Sequence, residues 1–205
     1  MAGLNWNAIE AAQLSQDPFD HFLVEGALSP ACAAAVGHEY PAIHSPGSFS
    51  LADARPGAVL SDLIADMESP RFRREMERIF NLDLEDKPVV VTLRGQCSTR
   101  DGRIHTDSNS KILSLLLYMN EGWQSPEGRL RLLRNDHDIE NYAVEVPPTL
   151  GSLVGFVRSD QSWHGHTPFT GQRRVLQLNY VQSARVSWVG AIRHRLSAIS
   201  KQRVA

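Results

Sequence analysis

The chain has little cysteine, little net charge and no long hydrophobic run. Its 205 residues include two cysteines, Cys32 and Cys97, which cannot form a disulfide framework. Lys and Arg number 21 against 23 Asp and Glu, a net charge of −2. This near-balance excludes a globally basic nucleic-acid-binding protein and an acidic solvating tail. The longest dense apolar stretch, residues 112–119, is far shorter than a membrane span.

The remaining composition is that of an ordinary globular protein, with 42% hydrophobic and 21% charged residues. Residues 1–20 show no basic region followed by an apolar run, so we expect no signal peptide. Two unpaired cysteines suit a reducing compartment, and we expect a cytoplasmic protein with neither nucleic acid nor a membrane as partner.

The two halves of the chain differ in local pattern. Residues 1–86 favour helix and loop: Ser29-Pro30 and Ser69-Pro70 each combine a capping side chain with a proline suited to the first helical position. His21 is expected near a helix start, and the Pro- and Gly-rich residues 44–58 predict a loop. After these come short β segments bounded by turn residues, at 88–96, 111–119, 128–134, 142–146, 152–157 and 173–181.

Closely spaced strands without intervening helices predict a sandwich or a barrel. From residue 184 a helix is expected, because Val189, Ile192, Leu196 and Ile199 form one apolar stripe. We therefore expect one α+β domain that is mainly β. Residues 1–86 would pack on the β core, residues 87–183 would form it, and residues 184–205 would add a C-terminal helix.

Three of the eight histidines lie in patterns that suit a metal ion. His105 and Asp107 are two residues apart before a strand, so in extended chain their side chains share a face. His164 and His166 have the same spacing, and the residues alone leave open which of them completes the set. Two imidazoles and one carboxylate leave about half an octahedron open, which suits Fe(II) binding a co-substrate and dioxygen together. Zinc, which favours a filled tetrahedron, is less suited.

An arginine after this cluster suits a dicarboxylic co-substrate, because its planar fork stays charged and matches a carboxylate. Arg173 and Arg174 are both candidates, and alternation along a strand lets only one of them face inward. Arg173 shares its face with Val175 and Gln177, the more polar set, and is therefore favoured.

These motifs occur in the order H-x-D, an apolar strand, Trp-His-Gly-x-x-Pro, and Gly-x-Arg opening a strand. In this order the chain resembles the Fe(II)/2-oxoglutarate-dependent oxygenases, specifically the prolyl-4-hydroxylase-like group, over residues 88–181. The resemblance implies a double-stranded β-helix, a jelly-roll barrel with the iron inside one end. It implies catalytic metal ligands at His105, Asp107 and His164, and 2-oxoglutarate contacts at Arg173 and Tyr118. The offsets to Pro168 and Arg173 favour His164 over His166 as the third ligand.

The implied activity is hydroxylation of an unactivated C–H bond, with release of succinate and carbon dioxide. The implied cofactors are Fe(II), the co-substrate 2-oxoglutarate and dioxygen, with ascorbate supporting activity. Asp107 argues for hydroxylation over halogenation, because halogenases of this superfamily carry a small residue in place of the carboxylate. Desaturation and cyclisation need the same ligands and stay open as alternatives.

We expect a small-molecule substrate, and the same chemistry on a peptidyl residue is the alternative. A non-enzymatic metal-binding barrel is a third possibility, which Arg173 disfavours because a metal binder needs no dicarboxylate clamp. An open channel would favour a peptide and a closed pocket a small molecule. Candidate substrate residues are Arg94 and Gln96 on one strand face, Trp123 in the loop 122–128, and His166.

Overall fold

The computed structural model describes residues 3–183, so the helix predicted from residue 184 lies outside the described residues. Within residues 3–183 the helices are α1 (Trp6–Glu10), α2 (Pro30–Glu39), α3 (Leu51–Ala54), α4 (Ala58–Glu68) and α5 (Pro70–Phe80). The strands are β1 (His21–Val24), β2 (Phe49–Ser50), β3 (Val89–Cys97), β4 (Lys111–Tyr118), β5 (Leu130–Leu133), β6 (Tyr142–Val146), β7 (Leu153–Val157), β8 (His164–Gly165) and β9 (Gly171–Val181). No helix of this part of the chain is long and apolar enough to cross a membrane.

Two serines begin helices α2 and α5. The hydroxyls of Ser29 and Ser69 each accept a hydrogen bond of 3.2 Å from the backbone N–H three residues further on, and a proline follows each serine. Helix α5 turns one apolar face inward and charged residues outward. Its buried residues are Phe72, Met76, Ile79 and Phe80.

Two expectations for the first half of the chain were wrong. Residues 44–58, predicted as loop, contain β2 and α3, with Ser50 capping α3. His21, expected near a helix start, lies in β1 and pairs with Phe156 of β7. Both strands are short, so pairing with a longer neighbour decides their conformation more than local preference does.

The strands of residues 3–183 form two antiparallel sheets. The larger has the order β1-β7-β4-β9-β3-β2 and the smaller the order β6-β5-β8. Their facing sides pack together, since Leu116, Val154 and Val175 of the larger sheet share a buried cluster with Leu130 and Leu132 of the smaller. The mainly β class is confirmed, and the two sheets are consistent with a double-stranded β-helix.

Side-chain alternation along β4 separates two environments. Leu113, Leu115 and Leu117 join the apolar cluster that includes residues of α4 and α5, so the helices cover the outer face of the larger sheet. Leu116 and Tyr118 point the other way, into the space between the sheets. Polar residues of β4 on the same face as Leu116 and Tyr118 therefore also point into the space between the sheets.

Candidate active site

Three side chains of metal-binding type meet between the two sheets. His105 and His164 lie opposite each other in a backbone bridge, with both N–H···O hydrogen bonds at 3.0 Å. Asp107 follows two residues after His105. One ligand atom from each of the three residues lies within 4.8 Å of the others. Asp107 and His164 are buried, whereas His105 is exposed.

Backbone contacts fix how the two imidazoles can bind. Nδ1 of His105 lies 2.8 Å from the carbonyl of Arg103, and Nδ1 of His164 lies 2.9 Å from the carbonyl of Ser162. A carbonyl only accepts, so each Nδ1 carries the proton and donates it, leaving the lone pair on Nε2. Burial, with His105 alongside, lowers the pKa of His164 to about 4, so this ring is neutral at neutral pH.

The carboxylate of Asp107 is held at both oxygens. Lys111 Nζ lies 2.7 Å from Oδ1, and the Ser114 hydroxyl donates to Oδ2. Burial acts to raise the pKa of Asp107, but the Lys111 ammonium, His164 and these hydrogen bonds outweigh it and lower the pKa below its usual range. Two imidazoles and one ionised carboxylate fit Fe(II) and leave coordination positions open.

Arg173 is a buried cation near this cluster, with 6% of its surface exposed. Its Nε donates to the carbonyl of Gly128 at 2.7 Å, and its Nη2 donates to the Tyr118 hydroxyl at 3.1 Å. Among residues 3–183, no carboxylate lies within ion-pair distance of it. A buried charge without a counter-charge is costly. The guanidinium is therefore suited to an anionic ligand.

Arg174 points away from this interior. Its Nη1 donates to the carbonyl of Gly37 at 3.1 Å, and its guanidinium lies over the ring of Tyr40 at 5.5 Å. The alternation expected along this strand thus turns Arg173, and not Arg174, toward the metal-type cluster.

A cavity of about 90 Å³ connects the cluster with Arg173. Arg94 also lines it, but Arg94 is paired with Asp101 at 2.8 Å and is therefore already neutralised. Gln177, which shares a strand face with Arg173, also lines the cavity. The apolar side chains of the wall are Leu116, Leu130 and Val175.

His166 lines the cavity without joining the three-residue cluster. Its Nδ1 donates to the carbonyl of Thr167 at 2.8 Å, and its Nε2 lies 3.7 Å from Cys97 Sγ. Burial, and secondly the charge of Arg173, lowers the pKa of His166 to about 4. The ring is therefore a neutral neighbour of the site.

Two other candidate substrate residues lie outside this cavity. Gln96 does not line it, although the sequence placed Gln96 on one face with Arg94. The pairing of β3 with β9 is irregular between Arg94 and Gln96, and such an irregularity breaks the simple alternation of side chains. Trp123 lines a separate groove instead.

That groove has a volume of about 620 Å³ and includes Trp123, Phe169 and Arg174 in its lining. It adjoins the Arg173 region through Gly128, where a Cβ would lie 3.0 Å from Phe169 and 3.1 Å from Trp123. The indole Nε1 of Trp123 is buried and has no hydrogen-bond partner within the described part of the chain. The groove thus offers aromatic surface beside the cavity.

Sequence reasoning missed three residues that contact this site. They are Lys111, Ser114 and Asn179, to which the sequence motifs assign no role. A signal was present for the last two, because Ser114 interrupts an apolar run and Asn179 lies between Leu178 and Tyr180. Each also has the inward parity, Ser114 with Leu116 and Asn179 with Arg173.

Comparison with known families agrees with this geometry. Residues 96–182 match the family described as the 2OG-Fe(II) oxygenase superfamily, a range that includes the three metal-type residues and Arg173. A search of curated proteins found no match.

Solved structures share the fold at low sequence identity. A prolyl-4-hydroxylase of Pseudomonas putida is 20% identical with a TM-score of 0.54, covering 86% of this chain and 92% of that one. A structure of prolyl 4-hydroxylases from Phytophthora capsici is 20% identical with a TM-score of 0.57, covering 82% and 60%. The viral collagen prolyl hydroxylase of Paramecium Bursaria Chlorella virus-1 is 12% identical with a TM-score of 0.53, covering 82% and 94%.

Residues 96–182 therefore form a 2OG-Fe(II) oxygenase domain, and the protein is a 2-oxoglutarate-dependent dioxygenase. Its fold is the one found in the prolyl-4-hydroxylases. The class predicted from the sequence is confirmed, as are the cofactors Fe(II), 2-oxoglutarate and dioxygen, which are those of this superfamily.

Proposed function

We propose that His105, Asp107 and His164 bind Fe(II), and that Arg173 with Tyr118 binds the far carboxylate of 2-oxoglutarate. One observation carries this proposal. A single cavity joins a three-ligand cluster to a buried guanidinium that has no carboxylate partner among residues 3–183. A dicarboxylate that chelates the metal at one end and meets a cation at the other satisfies both groups.

When bound, Fe(II) with 2-oxoglutarate and dioxygen supplies the oxidising power to hydroxylate a C–H bond, with succinate and carbon dioxide released. The protein holds the reactants in place. The backbone carbonyls behind His105 and His164 orient both rings. Leu116 and Val175 give the cavity apolar walls that limit water.

For the substrate we favour a peptidyl residue, with proline as the first to test. The three structural neighbours are prolyl or collagen prolyl hydroxylases. The cavity of about 90 Å³ is small for a co-substrate and a whole second molecule, while His105 is exposed. A substrate that reaches in with one side chain and lies along the groove of about 620 Å³ suits this shape.

A small-molecule substrate, expected from the sequence, is the second candidate. Arg94 lines the cavity with 28% of its side chain exposed, which gives a polar small molecule a hydrogen-bond donor inside. The two candidates differ in what gains an oxygen atom. Proline-containing peptides and free amino acids, supplied separately, would show by mass spectrometry which class gains the mass of one oxygen.

The metal assignment is tested by succinate formation with Fe(II), 2-oxoglutarate and ascorbate, measured without added substrate. Wild type should form succinate slowly, and His105→Ala and Asp107→Ala should form almost none because each removes a ligand. His137→Ala, which alters an exposed histidine, is the matched control. Equal rates in wild type and the two ligand variants would contradict the assignment.

The co-substrate assignment is tested with neighbouring arginines. Arg173→Ala should raise the KM for 2-oxoglutarate at least about tenfold, because it removes a charge-assisted contact worth roughly 1.5–3 kcal/mol. Arg174→Ala should change this KM little, because its guanidinium points away from the cavity. A larger increase in Arg174→Ala would reverse the assignment.

A further inference from the structure

Two buried side chains support Asp107 from inside the barrel. Ser114 of β4 is fully buried, and its hydroxyl donates to Oδ2 of Asp107. Asn179 of β9 lies directly opposite Ser114 in the sheet and is 5% exposed. Its side-chain amide oxygen lies 3.0 Å from Ser114 Oγ. Buried polar groups cost free energy unless they are paired. Here Ser114 and Asn179 pair with each other, and Ser114 also pairs with Asp107.

A count of protons sets the direction of these hydrogen bonds. A hydroxyl has one proton, and the ionised carboxylate of Asp107 can only accept, so the proton of Ser114 points to Asp107. Ser114 Oγ must then accept from Asn179. An amide oxygen cannot donate, and the amide oxygen and nitrogen are nearly the same in shape, so we orient the amide with Nδ2 toward Ser114. The resulting chain runs from Asn179 through Ser114 to Asp107.

Lys111 supports the other oxygen in a different way. Its ammonium lies 2.7 Å from Oδ1, at the end of a flexible side chain that is 20% exposed. Ser114 and Asn179 have short side chains on paired strands, where little movement is available. The orientation of the carboxylate is therefore set at Oδ2, while Lys111 mainly balances its charge.

We propose that Ser114, held by Asn179, is a positioning residue that fixes Asp107 in the orientation needed to bind the metal. This inference rests on the proposed function, in which Asp107 is a metal ligand. Loss of a hydrogen bond behind a ligand commonly weakens metal binding by about 10- to 100-fold. The same loss is expected when the Ser114 hydroxyl is removed.

The test is titration of the metal-free protein with Co(II), followed by the visible absorption of bound Co(II). Ser114→Ala should bind Co(II) about 10- to 100-fold more weakly than wild type. Ser114→Thr keeps the hydroxyl and should bind close to wild type. The matched control is Ser152→Ala, which removes another buried serine hydroxyl, one paired with Thr149 at 2.8 Å, and should leave Co(II) affinity unchanged.

Equal Co(II) affinity in Ser114→Ala and wild type would overturn the inference, and so would an equal loss in Ser152→Ala. If thermal unfolding shows that Ser114→Ala does not fold, Asn179→Leu replaces it. A weaker Co(II) affinity in Asn179→Leu supports the proposed hydrogen bonds from Asn179 through Ser114 to Asp107. An unchanged Co(II) affinity refutes them. The proposed function fails separately, if wild type binds no Co(II) or if Asp107→Ala binds it as tightly as wild type.

Discussion

Arg173, His164 and His166 are polar groups that the fold keeps from water at a cost in free energy. Arg173 lacks a carboxylate partner among residues 3–183, and the two histidines are held neutral by burial. All three line the same cavity. Such costs are typical of a site whose ligand restores the missing interactions.

The buried histidines predict a pH dependence for the metal-free protein. The pKa values of His164 and His166 are lowered by burial from 6.5 to about 4. Between these values the unfolded chain binds protons that the native protein does not. The free energy of unfolding should therefore fall as the pH decreases from 6.5 to about 4. Urea unfolding at a series of pH values measures this.

Histidine variants show how much of this decline in the free energy of unfolding is due to the buried histidines. His166→Gln should make the decline shallower, because one buried group no longer takes up a proton on unfolding. His44→Gln alters an exposed ring and should leave the decline as in wild type. A free energy of unfolding that stays constant or rises over this pH range would contradict the prediction.

At the scale of elements, the sequence predicted the interior strands better than the edge strands. Each of the six predicted β segments corresponds to one of β3, β4, β5, β6, β7 and β9. Three strands were not predicted, and each is a sheet edge: β1 and β2 in the larger sheet and β8 in the smaller, with four, two and two residues. An edge strand this short has little periodicity of its own, and its neighbour provides the hydrogen bonds that define it.

In the candidate site, too, local spacing predicted some residues, whereas contacts between distant strands were not predicted. His105 and Asp107 could be paired because two-residue spacing in extended chain is a local property. Ser114 and Asn179 are 65 residues apart, and their contact depends on how β4 and β9 are aligned. No local sequence pattern predicts that alignment. The position of Gln96 was missed because the irregularity beside it arises from pairing with β9.

Gly102, in the loop before His105, packs against His166. This glycine has φ +82°, its carbonyl accepts from His166 N at 2.9 Å, and an added Cβ would overlap the His166 ring. Gly102→Ala should lower the thermal unfolding temperature and weaken 2-oxoglutarate binding, because His166 must move beside Arg173. Differential scanning fluorimetry with and without 2-oxoglutarate measures both effects.

Gly26→Ala is the matched control. Gly26 has a similar φ of +70°, but an added Cβ would meet nothing within 4 Å. It should therefore show only the backbone cost of about 1–2 kcal/mol for a left-handed residue. Equal effects of the two substitutions on 2-oxoglutarate binding would show that contact with His166 does not matter.

In the molecule as a whole, one apolar cluster supports the fold and a second surrounds the candidate active site. The larger joins the helices to the outer face of the six-stranded sheet, and includes Leu63, Met76 and Leu115. The smaller lies between the sheets, around the cavity. With the helices covering one face, the other face can carry polar side chains without leaving the sheet unsupported.

In the proposed function, one cavity holds Fe(II) and 2-oxoglutarate together. The most direct test is anaerobic addition of 2-oxoglutarate to the Fe(II)-loaded protein, because chelation gives a visible charge-transfer absorption band. We predict this band in wild type, its loss in His105→Ala and Asp107→Ala, and a requirement for more 2-oxoglutarate in Arg173→Ala. No band in wild type, or the same band in the two ligand variants, would contradict the account.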